Sequence, residues 1–291
     1  MKAEVTFRKS LALNSSYIPA NINLGASLLR QGKYDEAIHY YQKAIEMSTD
    51  DKQCSLLYET IGEIFLRGEQ WQKAIEIYEI AIQLNYGKKT IENFLNLGFA
   101  HEKVKNYAEA ESAYRGFLAL DPANPGVNIR LGTCLDHQGK YDESIPFFKL
   151  SIKLSTDNKE CADAYFRIGS AYFKLKDYVK AEEAYRESLA LEPCDPYVHI
   201  LLGTCLEDNG KNDDAIQCYQ KAIEVSTTDK VRGFAYGHLG SGYIQLKEYA
   251  KAEAAFRESL AIVPADEDIQ MLLAGCLKLQ NKNDEEHAHN L

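Results

Sequence analysis

The sequence predicts an all-α protein built from tandem pairs of amphipathic helices, and three observations support this prediction. A glycine recurs seven times, at intervals of 34 to 37 residues. Each of these glycines is followed at fixed distances by aromatic and small residues. Three of the repeats have a proline at their end. A fixed period of this length is typical of repeat architectures, in which each unit is one supersecondary element.

The recurring glycine marks the first helix of each pair, and the residues after it mark the second. The glycines are Gly25, Gly62, Gly98, Gly132, Gly169, Gly203 and Gly240. Nine residues on stands an aromatic residue in six units (Tyr34, Trp71, Tyr107, Tyr141, Tyr178 and Tyr249), with Asn212 as the exception. Twelve on stands a small residue (Ala37, Ala74, Ala110, Ser144, Ala181, Ala215 and Ala252). Sixteen on stands a ring (Tyr41, Tyr78, Tyr114, Phe148, Tyr185, Tyr219 and Phe256).

This framework assigns a packing role to each position. Glycine inside a helix costs about 1 kcal/mol relative to alanine, so we expect another helix to pack closely against it. The small residue twelve on is predicted to make that facing contact, while the aromatic residues fill the space between the helices. Prolines at Pro122, Pro193 and Pro264 end the second helix.

Three connections carry three additional residues each: STDDK (48–52), STDNK (155–159) and STTDK (226–230). Ser, Thr and Asp are favoured N-cap residues, so the first helix that follows is predicted to start early. We also expect a longer, more protruding turn at each of these points. Gly132 and Gly203 lie 71 residues apart, as do Gly169 and Gly240, which indicates a duplicated module of two repeats.

The two ends of the chain resemble parts of a repeat. The stretch KAEVTFRKSLALNSS (2–16) aligns with KAEEAYRESLALEPC (180–194) and KAEAAFRESLAIVPA (251–265). Residues 1–17 are therefore predicted to be the second helix of an incomplete repeat, followed by seven repeats over 18–264, a capping helix over 265–281 and an acidic tail over 282–291. Because a solenoid end normally needs a polar cap, we expect either a longer array or self-association through the open N-terminal end.

Composition excludes several classes of function. The net charge of −10 argues against nucleic-acid binding, which needs cations to neutralise phosphates. Seven scattered cysteines without a CxxC pair indicate free thiols in a reducing compartment, and neither a disulfide framework nor a zinc site. No apolar run approaches the length of a transmembrane helix, and the N-terminus lacks the apolar block of a signal peptide. The predicted location is cytoplasmic.

The glycine, aromatic, small and proline positions quoted above resemble the tetratricopeptide repeat over essentially the whole chain. The resemblance implies a right-handed α-solenoid whose first helices line a concave surface, and a protein or peptide as the partner. No nucleophile and base occur together in a pattern tied to a loop, so we predict no enzyme, no catalytic residues, no cofactor and no metal. Cys134, Cys205 and Cys276 recur at one repeat position and are predicted to be buried as small hydrophobic residues.

If the first helices line a groove, the exposed positions lie at −6, −3, −2, +1, +4 and +5 from each glycine. The residues predicted there to bind a peptide are Asn96, Phe99, Lys103, Arg130, His137, Phe166, Arg167, Phe173 and Lys174. Arginine forks pair with carboxylates, and aromatic side chains are typical anchors. The alternative interpretation is that these are ordinary solvated or packing residues.

A comparison within the chain favours the binding interpretation. In the second module Leu201, His238 and Gln245 stand where the first has Arg130, Arg167 and Lys174. Packing within the repeat therefore does not dictate the residue at these positions. The predicted function is a non-enzymatic scaffold for an extended peptide, and the alternatives are the targeting arm of a larger enzyme such as a transferase, or a chaperone co-factor.

Two known groove patterns of the family fit poorly. Of the five-residue clamp for acidic chaperone tails, only Asn96 and Arg130 match, whereas Glu59, Glu63 and Gly126 stand where Lys, Asn and Lys are expected. Of the asparagine ladder found in sugar-nucleotide transferases, only Asn23 and Asn96 are present.

Overall fold

The computed structural model of the protein describes residues 2–84 and 89–289. All regular secondary structure in these two ranges is helical, in sixteen helices, and the prediction of an all-α protein is confirmed. The chain divides into two compact units, Met1–Gly139 and Lys140–Leu291. Unit 1 contains α1 (Lys2–Leu13), α2 (Ile18–Leu29), α3 (Tyr34–Met47), α4 (Asp51–Arg67), α5 (Trp71–Gln83), α6 (Lys89–Lys103), α7 (Tyr107–Leu120) and α8 (Pro125–His137).

Unit 2 contains the remaining helices. They are α9 (Tyr141–Leu154), α10 (Asn158–Lys174), α11 (Tyr178–Leu191), α12 (Pro196–Asp208), α13 (Asn212–Val225), α14 (Asp229–Gln245), α15 (Tyr249–Ile262) and α16 (Glu267–His289). In the described ranges no helix is both long enough and apolar enough to cross a membrane.

Within each unit the helices pack as consecutive pairs. In unit 1, α2 packs on α3, α4 on α5 and α6 on α7; in unit 2, α10 packs on α11, α12 on α13 and α14 on α15. Each second helix also packs on the first helix of the next pair, as α1 does on α2 and α11 on α12. Six first helices, α2, α4, α6, α10, α12 and α14, are thus each held between two second helices.

The recurring glycine lets an aromatic ring lie directly on the backbone of the first helix. A Cβ atom added to Gly169 would lie 2.7 Å from the Tyr185 ring, and one added to Gly240 would lie 2.6 Å from the Phe256 ring. Both distances are shorter than a van der Waals contact. The same arrangement is found at Gly25, Gly62, Gly98 and Gly203.

The sequence correctly predicted the close approach at the glycine but assigned it to the wrong residue. The three atoms nearest to the added Cβ of Gly169 all belong to the ring sixteen residues on, and none to the small residue twelve on. A ring is long enough to span the interhelical gap, whereas a methyl group such as that of Ala181 is not. Ala181 is instead fully buried in the core.

These rings form the centre of the core in both units. Tyr78 and Tyr114 in unit 1, and Tyr185, Tyr219 and Phe256 in unit 2, are almost completely buried. Aliphatic residues of the neighbouring first helices surround them in each unit. Aromatic burial of this size supplies a large part of the apolar area that stabilises a helix pair.

The turn that follows each of the seven first helices from α2 to α14 uses a left-handed residue, always seven positions after the recurring glycine. Three of these residues are glycines, Gly32, Gly139 and Gly210, with φ between 75° and 77°. The other four carry side chains: Glu69, Lys105, Lys176 and Lys247, with φ between 54° and 62°. Side chains make this conformation costly, so four of the seven turns are strained.

The three-residue insertions lengthen a helix and leave the turn short. As predicted, Asp50 and Asp157 cap α4 and α10, where their carboxylates accept backbone N–H groups of the first turn. These two helices and α14 have 17 residues each. The connection before α10 spans only residues 155–157, against 192–195 before α12. The expected protruding turn is therefore wrong, because the capping residue starts the helix early and so takes up the added length.

Helix α16 extends beyond the predicted capping segment. It runs from Glu267 to His289 and thus continues into the segment predicted as an acidic tail. The described side chains of α16 end at residue 282, so the two tail histidines, His287 and His289, lie outside them.

Candidate functional site

Three side chains of unit 1 meet around the ring of Phe99. The edge of Trp71 lies against this ring, with the centroids 5.9 Å apart and the planes at 84°. Lys103 Nζ lies 4.9 Å from the ring centroid and Arg130 Cζ lies 5.4 Å from it. We call Trp71, Phe99, Lys103 and Arg130 the Phe99 patch.

Three helices bring these residues together. Phe99 and Lys103 lie four positions apart on α6, so they share one face of the helix. Trp71 is the first residue of α5, and Lys103 Nζ also lies 5.9 Å from its ring centroid. Arg130 lies on α8, the next first helix along the chain. Phe99 and Trp71 are half-buried, and Lys103 is exposed.

A carboxylate orients the arginine of the patch. Arg130 Nη1 donates a hydrogen bond of 2.8 Å to Glu102 Oε2, and Cys134 Sγ lies 3.7 Å from Glu102 Oε1. Burial alone would lower the pKa of Arg130, but its interactions with Tyr114 and Glu102 outweigh burial and raise it. The guanidinium has five N–H donors, more than one carboxylate can accept.

The charge of the patch is opposite to that of the protein as a whole. Glu102 balances one of the two cations, which leaves one positive charge on a chain whose net charge is −10. Cations over aromatic faces are stabilised by about 0.5–1 kcal/mol at exposed sites. The patch can therefore offer an anion two cationic donors beside an aromatic surface.

Asn96 and His137, two further predicted site residues of unit 1, are held by other partners. Asn96 Nδ2 donates to the Tyr78 hydroxyl at 3.2 Å, and burial raises the pKa of that hydroxyl. His137 stacks on Tyr107, with the ring centroids 4.2 Å apart and the planes 12° from parallel. Both contacts fix side chains on the same helices, α6 and α8, that carry the patch.

Sequence reasoning missed Trp71 and Glu102 as members of the site. Trp71 stands at the framework position nine after Gly62, where the sequence predicts an aromatic residue that fills the space between helices. Trp71 is the only tryptophan of the chain, and this was the one feature of the sequence that could have pointed to it. Glu102 carries no predicted role, since the sequence cannot show that its carboxylate bonds to Arg130 on the next first helix.

The four predicted site residues of unit 2 lie on α10, and packing against aromatic rings holds two of them. The Phe166 ring lies 6.3 Å from that of Tyr185, and the Phe173 ring lies 5.7 Å from that of Tyr178. Arg167 Nε donates to Asp163 Oδ2 at 2.9 Å on the same helix. Lys174 is exposed in the last turn of α10.

One row of the predicted exposed stripe is buried in three of the seven repeats. At the position three before the glycine, Glu59, Ile200 and Gly237 are buried. An added Cβ on Gly237 would lie 2.7 Å from Ile269 of α16, so this position faces the next first helix and not solvent. The position two before the glycine, which includes Asn96 and Arg130, is only partly buried.

The repeated cysteines are buried thiols, as predicted. Cys134, Cys205 and Cys276 are fully buried, and all seven cysteines are free. Burial raises the pKa of Cys205 to about 11. Within the described residues, no group of histidines, cysteines and carboxylates could hold a metal ion.

Consecutive antiparallel helix pairs, each closed by a ring on a glycine, define the class of helical repeat proteins. Three family models described as tetratricopeptide repeat match the chain: one at residues 16–84 and 197–265, one at 162–193 and one at 103–168. The chain belongs to the tetratricopeptide repeat family.

Curated relatives are longer than this chain. The BBSome complex member BBS4 of Bos taurus is 24% identical over 252 residues, which cover 76% of this chain and 47% of that protein. The protein O-mannosyl-transferase TMTC1 of Homo sapiens is 30% identical over 232 residues, which cover 78% of this chain and 24% of that protein. The chain thus spans about half the length of the first relative and a quarter of the second.

A solved structure shows the same fold. The C-terminal part of a repeat-containing protein of this family from Cytophaga hutchinsonii superposes with a TM-score of 0.69 at 19% identity. The match covers 87% of this chain and 99% of that one. The predicted fold class, a solenoid of tandem helix pairs, is confirmed.

Proposed function

We propose that the protein is a non-enzymatic interaction scaffold that binds an extended segment of a partner protein at the Phe99 patch. The observation that carries the proposal is the placement of Lys103 and Arg130 over one half-buried ring, with Trp71 at its edge. The seven free thiols suit a reducing compartment such as the cytoplasm.

The patch suits a segment that carries both a carboxylate and an apolar side chain. A carboxylate of the partner can bind between Lys103 Nζ and the donors of Arg130 that Glu102 leaves unused. A neighbouring apolar side chain can pack against Phe99 and Trp71, since aromatic residues are frequent anchors at interfaces. Glu102 holds the guanidinium in place before the partner arrives, which lowers the entropy lost on binding.

Binding of a labelled peptide of alternating glutamate and phenylalanine tests the proposal directly. Fluorescence anisotropy should show binding that weakens with salt, and a peptide with lysine in place of glutamate should not bind. Lys103→Glu should weaken binding by about tenfold, equivalent to about 1.4 kcal/mol. Lys103 is the better target, because replacing Arg130 would leave Glu102 without its partner.

Lys105→Glu is the matched control. Lys105 is an exposed lysine two residues further along the chain, in the turn after α6. If Lys103→Glu and Lys105→Glu reduce binding equally, the effect is one of net charge and the Phe99 patch is not the site.

A native partner can then be sought by affinity capture and mass spectrometry, with the wild-type protein and Lys103→Glu in parallel. Proteins retained by the wild type and lost by the variant are the candidates. The charge reversals Arg130→Glu and Arg167→Glu extend the comparison to the two predicted arginines. Partner capture that survives both substitutions would contradict the prediction that these arginines bind the partner.

The second candidate function is the recognition arm of a larger enzyme. The similarity to TMTC1 favours it, because there the matching repeats are a quarter of a protein named as a transferase. The mass of the native polypeptide decides between the two. A species of 32.8 kDa would exclude the larger enzyme, and a substantially heavier one with a transferase domain would support it.

A further inference from the structure

The C-terminal helix α16 exposes an apolar face that its counterpart in unit 2 buries. Residues 271–284 of α16 align with 200–213, which begin in α12. Met271 is 66% exposed and Leu277 is 36% exposed, whereas the equivalent Ile200 and Leu206 are 1% and 0% exposed. In unit 2 the second helix α13 packs on α12. The next first helix, α14, also packs on α12, so the faces that α13 and α14 cover on α12 are uncovered on α16.

Helix α1 has the sequence of a second helix and exposes the complementary face. Phe7 aligns with Tyr185 and Phe256, Ser10 with Ser188 and Ser259, and Leu13 with Leu191 and Ile262. The aligned aromatic and serine residues of α11 and α15 are buried, but Phe7 and Ser10 are only partly buried and Leu13 is 92% exposed.

Two intact pairs of unit 2 show how such faces join. Ser188 Oγ donates to the carbonyl oxygen of Ala162 at 2.8 Å, and Ser259 Oγ donates to that of Gly233 at 2.8 Å. Each carbonyl belongs to the residue seven before the recurring glycine. Ile262 Cγ2 would lie 3.5 Å from an added Cβ at Gly233, so this side chain packs at the same end of the first helix.

We propose that α1 of one copy of the chain packs on α16 of a second copy and completes it as a helix pair. In this arrangement Ser10 Oγ donates to the carbonyl oxygen of Glu267, which lies seven before Ala274, the counterpart of the glycine. Leu13 packs at the N-terminal end of α16, and Phe7 lies over Ala274. The partner is chosen by fit, because α1 repeats the residues that α11 and α15 use for this contact.

One substitution makes this contact weaker than the pairs within the chain. Ala274 stands where the intact pairs have glycine, and an added Cβ at Gly240 lies only 2.6 Å from the ring of Phe256. The Phe7 ring must therefore move outward to clear the Ala274 methyl group. A single helix pair is also small beside the interfaces of stable complexes, so association should depend strongly on concentration.

The contact joins two different surfaces, so in a dimer one copy still has a free α16 and the other a free α1. Such heterologous contacts form rings where the rotation closes and open chains where it does not. Association therefore continues beyond a dimer, in contrast to a symmetric contact between two α1 helices or two α16 helices.

Sedimentation velocity of the full chain and of two single variants tests the proposal. The wild type should sediment faster as its concentration rises. Met271→Glu and Leu13→Glu should each remain monomeric, because each blocks one of the two surfaces. An equimolar mixture of the two variants should form a dimer that grows no further, since it has one intact α1–α16 contact.

Val5→Glu and Leu279→Glu are the matched controls. Both residues are exposed on α1 and α16, and in unit 2 their counterparts Glu183 and Asp208 are exposed acids, so both variants should associate like the wild type. Ala274→Gly should shift association to lower concentration, because it removes the methyl group that the Phe7 ring otherwise has to clear. Circular dichroism should show that every variant keeps its helices.

Several results would overturn the proposal. A wild type that stays monomeric at every concentration would exclude any such contact. Association that survives Met271→Glu would indicate pairing between two α1 helices, and association that survives Leu13→Glu would indicate pairing between two α16 helices. Loss of association in the Val5→Glu or Leu279→Glu control would indicate nonspecific apolar contact.

Discussion

At the scale of single residues, the seven left-handed turn positions show where the repeat stores strain. Glycine occupies three of them, while Glu69, Lys105, Lys176 and Lys247 occupy the others. A side chain in this region costs about 1–2 kcal/mol. The surrounding helix pair imposes the conformation in each case, whichever residue is present.

Lys176→Gly is expected to raise the free energy of unfolding. It removes the free-energy cost of a side chain in the left-handed conformation. The greater entropy of glycine in the unfolded chain offsets about 0.5–1 kcal/mol of that stabilisation. A net increase of about 0.5–1 kcal/mol should appear in urea denaturation as a higher midpoint at an unchanged slope. Lys176→Ala keeps the strain and is the control. An equal rise in both variants would show that loss of the lysine side chain, and not relief of strain, is responsible.

The candidate site also divides at the residue scale into a predictable and an unpredictable part. Phe99 and Lys103 could be placed side by side from their spacing of four on a helix. The contact of Trp71 with Phe99 and the bond of Arg130 to Glu102 join residues of different helices. Their geometry depends on how helices pack, which a repeat pattern alone does not specify.

At the scale of the element, the unit of the fold is a helix pair closed by a ring on a glycine. The recurring glycine predicted the helix pairs because it is present in every repeat. Helices α2–α15 occupy the segment that these glycines mark. The Ser/Thr/Asp insertions were harder to place, because three added residues can enter a turn or a helix. The hydrogen bonds of Asp50 and Asp157 to the first turn place them in the helix.

Gly169→Ala tests the closure of the helix pair. Its methyl group would lie 2.7 Å from the Tyr185 ring, and such overpacking costs about 1–3 kcal/mol. The better helix propensity of alanine offsets about 1 kcal/mol of this cost. Chemical denaturation should therefore show a lower free energy of unfolding.

Gly275→Ala is the opposing control within the same chain. Gly275 also lies inside a helix, but nothing lies within 4 Å of its added Cβ. Alanine there should raise the free energy of unfolding by up to about 1 kcal/mol. Equal effects of the two substitutions would mean that helix propensity alone sets the cost and that the ring contact does not.

At the scale of the whole molecule, each unit holds a histidine whose surroundings favour its neutral form. Burial lowers the pKa of His101 in unit 1, against a smaller opposing effect of Glu109 and Glu79. Burial likewise lowers the pKa of His238 in unit 2, which lies against the rings of Tyr219 and Phe234. Both side chains must gain a proton when the chain unfolds in weak acid.

Stability should therefore fall as the pH drops through the usual histidine pKa of 6.5. Below it the unfolded chain binds more protons than the folded one, so the free energy of unfolding decreases with decreasing pH. Above it both states are neutral at these histidines and their contribution is fully present. Urea denaturation between pH 5 and 8 measures the slope.

The double variant His101→Gln and His238→Gln separates these two histidines from the other titrating groups. Its free energy of unfolding should depend less on pH in this range, since glutamine does not titrate. An unchanged slope would assign the pH dependence to other groups.

The fluorescence of Trp71 tests the central claim, that the Phe99 patch is where a partner segment binds. Trp71 is the only tryptophan of the chain and lies in the patch, so its emission reports on this site alone. Titration with the glutamate–phenylalanine peptide should change the emission with a saturable curve that shifts to about tenfold higher peptide concentration in Lys103→Glu and stays in place in Lys105→Glu. Binding detected by anisotropy while Trp71 emission stays constant would place the partner elsewhere on the protein and contradict the claim.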